Sequence, residues 1–328
     1  MKAVVYTHYG SPDVLQIKEV EKPAPKDNEV LIKVFATTVN RTDCATIRAK
    51  PFFARIWTGL LRPRKQIPGT EFAGEIAATS KSISTLHVGD KVFGFDEQGA
   101  GSHAQYLAIK ADNVVTMPDN ISYQQAAASF EGAHYAYNFI NKVDINQGQD
   151  VLVNGAAGAI GSAAVQLLNY FGVNVTAVCS AKNVELVKSL GANKVIDYTK
   201  EDFTKDEQRY DFIFDTVGKS SFFKCKRLLK HGGVYISSDL GYMAQNIFLP
   251  LITPIIKSML GYKKTMSPFP SAVRQTLLLV KKLIEHGKFK SVIDREYPLE
   301  QIVKAYEYVE TGQKTGNVVI TVQHNYDT

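Results

Sequence analysis

The stretch Val151-Leu-Val-Asn-Gly-Ala-Ala-Gly-Ala-Ile-Gly161, continuing into Ser162-Ala-Ala-Val-Gln-Leu-Leu168, constrains what this chain can fold into more than any other segment. A short buried strand gives way to a run of small residues and then to a helix. Ala164, Leu167, Leu168 and Phe171 are spaced to cover one face of that helix, and Gly172 is placed to end it. Ala156, Gly158 and Gly161 fall on the three positions of a G-x-G-x-x-G fingerprint, with alanine replacing the first glycine. Gly158 is expected to let the backbone approach a pyrophosphate, and Gly161 to let the helix pack close to the strand. Ala157, Ala159 and Ile160 complete the turn. The first amides of the helix lack an internal partner, so they can donate to phosphate oxygens while the helix dipole favours the charge. A small-residue run by itself is equally compatible with a plain tight turn.

Downstream segments supply the missing context. Asn174-Val-Thr-Ala-Val-Cys179 is a β-branched run of strand length, a helix over about Asn183 to Leu190 ends at Gly191, and Lys194-Val-Ile-Asp-Tyr198 is a third strand. Asp211–Asp215 and Val234–Ser237 add two more strands, with a helical segment from Ser221 to Lys230 between them. Strands alternating with helices imply right-handed crossovers and a doubly wound parallel sheet that binds its ligand beyond the strands' carboxyl ends.

Other parts of the chain show a different pattern. Val30–Ala36, Gly69–Ile76, Gly89–Gly94 and His103–Ile109 are short strand candidates set between glycines and turn residues, the pattern of a partly barrel-like β domain. Helical periodicity returns over Val273–Ile284 and Leu299–Val309, and Gly316–Val322 closes the chain as a strand. The expected division is residues 1–125 with 269–328 as one domain and 126–268 as the dinucleotide-binding domain, a sensible partition for 328 residues.

Charge and cysteine content exclude several classes. The net charge of +6 is dispersed, and no basic run with interleaved aromatics points to nucleic acid. Cys44, Cys179 and Cys225 cannot form a disulfide framework and include no C-x-x-C pair, so a reducing cytoplasm is the expected location. Met1-Lys-Ala-Val-Val-Tyr6 begins directly as a strand, without a signal-peptide pattern. The most apolar stretch, Ile247–Leu260, is too short to span a bilayer and holds Pro250, Pro254 and Lys257; it reads as a helix pair in a core or at a subunit contact.

The chain resembles the medium-chain dehydrogenase/reductases, in the zinc-independent quinone oxidoreductase branch that includes zeta-crystallin. The matching pieces are Met1–Tyr6, Val39-Asn-Arg-Thr-Asp43, Pro68-Gly-Thr-Glu-Phe-Ala-Gly74, Val88–Gly94, Met117–Ser122, Gly155–Gly161, Asp211–Gly218, Leu229–Gly233 and Thr315–Ile320. The resemblance implies a β-rich, GroES-like catalytic domain made from both chain ends, a Rossmann domain inserted between them, an active site in the cleft, and a homodimer. Zinc relatives carry a cysteine and a histidine where this chain has Asn40 and Thr70, so no metal is expected. His87, His103 and His134 lack ligand spacing and read as surface or packing residues.

Dinucleotide folds that prefer NAD end the second strand on an acid. Here the segment is Val178-Cys-Ser-Ala-Lys-Asn183, so Ser180 and Lys182 can receive a 2′-phosphate, and the resemblance adds Tyr198; an exposed lysine at a helix start and a tyrosine packed on its strand are the alternatives for Lys182 and Tyr198. NADPH is the expected cofactor. The resemblance places Thr216, Val217 and Gly218 beside the nicotinamide, and Gly232 and Gly233 at a turn near the cofactor or a helix C-cap.

Without a metal or an evident nucleophile, catalysis reduces to positioning hydride against an electrophilic acceptor, a quinone or an α,β-unsaturated carbonyl. Asn40 matches a polar residue at the family's pocket floor and is the candidate donor to the developing oxyanion, with a structural turn asparagine as the alternative. Asp43 reads as a helix N-cap.

Three departures stand out: no tyrosine in Ala45–Arg48, Glu131-Gly-Ala-His-Tyr-Ala136 in place of Gly-Leu-Thr-Ala, and Gly316-Asn317-Val318 in place of Gly-Lys-Val. Pro51–Lys65 and Gly241–Pro270 are expected to shape the pocket or a dimer contact. The readings that remain are a quinone reductase, a 2-alkenal or enone reductase poor on quinones, a zinc alcohol dehydrogenase, and a non-catalytic NADPH-binding protein.

Overall fold

The computed structural model describes residues 1–52, 55–239, 245–255, 260, 262–266 and 272–324. The chain divides into two compact units, one formed by Met1–Glu131 with Val273–Thr328 and the other by Gly132–Ala272.

The first unit opens with an antiparallel pair, β1 (Lys2–Val5) and β2 (Gln16–Glu19). The long strand β3 (Glu29–Val39) runs through Asn40 into helix α1 (Arg41–Ile47). After a short helix, α2 (Arg55–Thr58), come β4 (Glu71–Thr79), β5 (Lys91–Phe95), β6 (Tyr106–Lys110) and β7 (Val114–Thr116). Strand β3 is the hub, pairing antiparallel with β4 and with β6, while β5 joins β4 to β7. Helix α3 (Tyr123–Ala127) starts at a capping box: Ser122 Oγ accepts from Gln125 N, and Ser122 N donates to Gln125 Oε1 at 2.9 Å. Helix α4 (Glu131–Asn141) then carries the chain into the second unit.

The second unit alternates strand and helix as its sequence predicts. In order it contains β8 (Asp150–Asn154), α5 (Ala159–Tyr170), β9 (Asn174–Cys179), α6 (Val184–Ser189), β10 (Lys194–Asp197), β11 (Tyr210–Asp215), α7 (Phe222–Cys225), β12 (Leu229–Ser237), α8 (Gln245–Ile252) and β13 (Lys264–Met266). The strands are parallel in the order β10-β9-β8-β11-β12-β13. Strand order reverses between β8 and β11, which leaves a crevice beyond their carboxyl ends where open α/β sheets bind ligands. Leu152, Val178, Ile213 and Tyr235 are buried in one cluster with Phe222, Cys225 and Leu228, so this sheet reads as near-continuous apolar runs.

The chain returns to the first unit through α9 (Val273–Glu285), β14 (Ile293–Pro298), α10 (Ile302–Glu310) and β15 (Asn317–Thr321). Strand β15 pairs parallel with β14 and antiparallel with β3. Val318 and Ile320 thereby join Val34, Val39, Ile302 and Tyr306 in one core.

Two local expectations are corrected. The helix read over Ser221–Lys230 ends early: α7 passes into a 3₁₀ turn at Lys226–Leu228, and Leu229 and Lys230 already belong to β12. Lys230 Nζ is held there at 2.8 Å from both Asp150 and Asp211. Gly232 and Gly233 form neither a cofactor turn nor a helix cap; they lie inside β12. There the register with β11 jumps from Leu229 opposite Tyr210 to Val234 opposite Phe212, and the small residues absorb the resulting bulge. Of the helix pair expected over Ile247–Leu260, α8 is present, and residues 256–259 lie outside the described residues.

Candidate functional site

In the second unit the fingerprint segment folds as a turn between β8 and α5. Gly155 takes φ +83°, and a Cβ there would lie 2.3 Å from the Val217 side chain. Gly155 N and Ala156 N both donate to Val178 O, at 3.1 and 3.0 Å, which ties the turn to β9. The left-handed turn position is therefore Gly155, one residue before Ala156. Ala156 and Ala157 are buried packing residues. Gly161 meets its expectation sterically, since a Cβ there would sit 2.1 Å from Gly155 O. Gly158 is the N-cap of α5, and Ala159 and Ile160, both half-buried, begin the helix. Gly132 has its own close approach, because a Cβ would fall 2.5 Å from Ala159 O; α4 thus passes tightly over the start of α5.

The loop after β11 rests on a buried carboxylate that the sequence shows only as a strand end. Asp215 Oδ1 accepts from Asn154 Nδ2 at 3.0 Å, Val217 N at 3.3 Å and Gly218 N at 3.1 Å. Its Oδ2 accepts from Ser220 N at 3.0 Å and from Tyr235 OH at 2.9 Å. Thr216 Oγ1 donates to Asn154 O at 2.8 Å. Thr216, Val217 and Gly218 are thereby fixed beside the Gly155 turn.

At the end of β9, Ser180 leads into a 3₁₀ turn over Ala181–Asn183, with Lys182 exposed. Tyr198 comes directly after β10; its N–H donates to Cys179 O at 3.1 Å and its side chain is 59% exposed. Ser180, Lys182 and Tyr198 thus stand at the carboxyl ends of neighbouring strands. Asp197 is turned to Thr199, whose hydroxyl donates to it at 2.7 Å and holds its carboxyl below the usual range.

The first unit brings together a different set. Asn40, not Asp43, is the N-cap of α1. Asp43 lies at the third helical position and accepts from Asn40 N at 2.8 Å, the reciprocal half of a capping box. The Asn40 Nδ2 atom has Thr38 Oγ1 and Glu71 Oε1 at 3.0 Å and Glu131 Oε2 at 3.2 Å. Thr38 Oγ1 donates to Glu71 at 2.6 Å, and Glu131 N donates to the other Glu71 oxygen at 2.7 Å. Thr70 and Thr42 hydroxyls donate to the two Glu131 oxygens at 2.6 and 2.8 Å. Lys314 Nζ completes the set, donating to Asn40 Oδ1 at 3.3 Å and to Gly316 O at 2.6 Å.

Asn40, Asp43, Thr70, Glu71 and Glu131 are all buried. Burial, and then the neighbouring Glu131, pushes the Glu71 carboxyl up to about 8 and raises that of Asp43 as well. Burial pushes the Lys314 ammonium down, while Glu131 and Glu71 pull it the other way.

His103 Nε2 is 2.8 Å from Thr38 O, and His103 and His134 are buried and shifted by burial to about 4. His87 lies 3.7 Å from Asp90 at the surface. Among the described residues no group of three or more histidine, cysteine or acidic side chains is arranged to hold a metal ion. Of the two segments expected to shape a pocket, Phe52, Ile56, Leu60 and Leu61 are exposed in the first. Residues 53–54, and in the second 241–244, 256–259, 261 and 267–270, lie outside the described residues.

The chain as a whole has known counterparts. The profile of the family described as alcohol dehydrogenase GroES-like domain matches residues 26–119, and that described as zinc-binding dehydrogenase matches residues 190–320. A 2-methylene-furan-3-one reductase from Solanum lycopersicum is 33% identical over 98% of this chain and 79% of its own length. A chloroplastic NADPH-dependent alkenal/one oxidoreductase from Arabidopsis thaliana is 30% identical over the same shares, 98% and 79%. The structure of the quinone oxidoreductase from Coxiella burnetii superposes with a TM-score of 0.86 at 27% identity, covering 98% of this chain and 99% of the other. A Rossmann sheet joined in sequence to a GroES-like unit defines the medium-chain dehydrogenase/reductase class. This chain belongs to that superfamily, in its quinone-reductase-like branch.

Proposed function

We propose that this chain is an NADPH-dependent, zinc-independent reductase that passes hydride to α,β-unsaturated carbonyls and quinones. The observation that carries the reading is the state of Asn40 and Thr70, the positions where zinc relatives place thiolate and imidazole. Both are hydrogen-bond donors to Glu131, and an ammonium already stands on the Asn40 carbonyl. An amide nitrogen and a hydroxyl turned toward a carboxylate, with a cation adjoining, do not fit a zinc ion. The acceptor must therefore be electrophilic without Lewis-acid help, which enones and quinones are.

The second unit fits a dinucleotide. The Gly155 turn and the first turn of α5 would hold the pyrophosphate, and the Thr216–Gly218 loop would border the nicotinamide. Ser180, Lys182 and Tyr198 would take the 2′-phosphate, where no carboxylate ends β9. NADPH, when bound there, supplies the hydride. The polar cluster around Asn40 serves the acceptor end.

Alkenes rank before quinones as acceptors because the two plant relatives at 33% and 30% identity carry names of enone or alkenal reductases. The working form is proposed to be a homodimer in a reducing cytoplasm, consistent with three unpaired, buried cysteines. No helix among the described residues is long and apolar enough to cross a membrane.

The test is NADPH oxidation by the chelator-treated protein with a 2-alkenal, a cyclic enone and ortho- and para-quinones, with NADH in parallel. Turnover of the alkenes with at least tenfold preference for NADPH is expected. Turnover of quinones alone would reverse the acceptor order. Tight NADPH binding with no turnover on any acceptor would sink the enzyme reading in favour of a cofactor-binding protein without catalysis.

A further inference from the structure

We infer that the group meeting the acceptor's oxygen is the Lys314 ammonium rather than the Asn40 amide. This rests on the reductase reading and names the side chain that carries its charge stabilisation.

Counting donors singles out the lysine. An Asn amide offers two N–H groups, and Asn40 Nδ2 has three oxygens within 3.2 Å: Thr38, Glu71 and Glu131. Turning the amide over would set its NH₂ against the Lys314 ammonium, 3.3 Å from the present Oδ1, so the orientation is locked. The Thr38, Thr42 and Thr70 hydroxyls each have one hydrogen, and each spends it on a carboxylate. The Asp43 carboxyl is engaged by Asn40 N, that of Glu71 by Thr38, Asn40 and Glu131 N, and that of Glu131 by Asn40, Thr42 and Thr70. Whether ionised or protonated, all three are spent within the cluster. Lys314 has three N–H groups, of which Asn40 Oδ1 and Gly316 O take two. Its side chain is half-buried, whereas Asn40, Asp43, Thr70, Glu71 and Glu131 are buried. One ammonium N–H is therefore left for a ligand, and a charged donor is roughly twice as strong as a neutral one.

The loop that carries Lys314 is pinned on both sides. Thr315 N donates to Asp294 at 2.6 Å, and Asn317 N donates to Val292 O at 2.8 Å. Asn317 Nδ2 donates to Ala128 O at 2.9 Å and to Val292 O at 3.2 Å. The position where relatives have Gly-Lys-Val is thus a buried anchor in this chain, and the lysine stands three residues earlier, facing Asn40.

In the proposed step hydride arrives at the β-carbon and a C–H bond forms there. The C=C electron pair shifts so that negative charge reaches the carbonyl oxygen, as an enolate. The free Lys314 N–H donates to that oxygen, and a proton from water at the α-carbon completes the reduction while the nicotinamide becomes oxidised. With a quinone the same N–H holds the phenolate.

The test uses the full-length protein with NADPH and a 2-alkenal, comparing wild type with Lys314→Met and Lys314→Arg. Lys314→Met is expected to lower kcat about 100-fold, the scale of losing one oxyanion donor, with the NADPH Kd within twofold. Wild-type kcat is expected to fall on an alkaline limb below the ordinary lysine range as the ammonium deprotonates. Asp43 and Cys44 on α1, Glu71 on β4, Glu131 at the start of α4 and Asp294 on β14 all face it and set where that limb falls. Lys314→Met should lose the limb, and Lys314→Arg should keep kcat within tenfold with the limb moved beyond pH 10.

Lys314→Met with kcat within threefold and an unchanged limb would overturn the assignment. If that variant does not fold, an unmoved limb in Lys314→Arg overturns it equally. A silent wild type that still binds NADPH would instead remove the reductase reading, and this assignment with it.

Discussion

In the turn of the second unit proposed to hold the dinucleotide, the working groups would be backbone amides, and the side chains around them matter chiefly by being small. In the cluster around Asn40 the working groups are side chains, three of them acids, drawn from β3, α1, β4, the start of α4 and the loop before β15. The first site tolerates no added atom at Gly155 or Gly161, where a Cβ would lie 2.3 Å from the Val217 side chain and 2.1 Å from Gly155 O. The second tolerates no lost partners, because each removal leaves a buried charge or amide unsatisfied. Shape and charge are thus separate constraints, and they fail in different ways.

The largest effect should come from breaking shape. Gly161→Val is expected to abolish NADPH binding, with at least a 100-fold rise in Kd by fluorescence titration. Retained binding would mean the turn does not depend on close helix–strand approach.

Next comes Asp215, the point where the second unit uses charge as the first unit does. Asp215→Ala strands donors from Asn154, Val217, Gly218, Ser220 and Tyr235. It should cost about 1–3 kcal/mol for each of these donors left without a partner, read as lost stability in urea unfolding. A loss below about 1 kcal/mol would show that water replaces the carboxylate.

Acid should separate folded from unfolded chains in both units through one buried histidine each. His103 and His134 are held near 4 when folded, and histidine titrates near 6.5 when unfolded. Between those values only the unfolded chain takes up the proton. The stabilisation is therefore present above about pH 6.5 and lost as pH falls toward 4, on the order of 3 kcal/mol per histidine. His103→Gln should flatten the acid slope of the first unit alone, in melts recorded from pH 7 to 4.5. An equal slope in that variant would assign the acid lability to other groups.

The smallest effect is a test of specificity. Lys182→Ala should weaken NADPH about tenfold, about 1.4 kcal/mol, and leave NADH binding within twofold. Equal losses for both cofactors would move the 2′-phosphate site away from Lys182.

The fingerprint, the five strands from Val151 to Ser237 and the missing acid after Cys179 were legible because each is local. A few residues in a row carry the period of a strand, the steric need of a turn or the charge at a strand end. Even there the turn position at Gly155 was not legible, since only the backbone torsion distinguishes Gly155 from Ala156. The bulge at Gly232–Gly233 was illegible for a similar reason, because register against β11 is a property of two strands and not of one.

Sequence by itself determined the class of fold, because strand and helix periods are short-range patterns, and it supplied the residues from which the nicotinamide cradle and the poor fit to zinc at Asn40 and Thr70 are proposed. Tertiary structure alone decided which polar groups near Asn40 still have a proton to give. Glu71, Glu131 and Lys314 are separated from Asn40 by 31, 91 and 274 residues. A hydrogen-bond count across such distances exists only once the chain has closed β15 against β3.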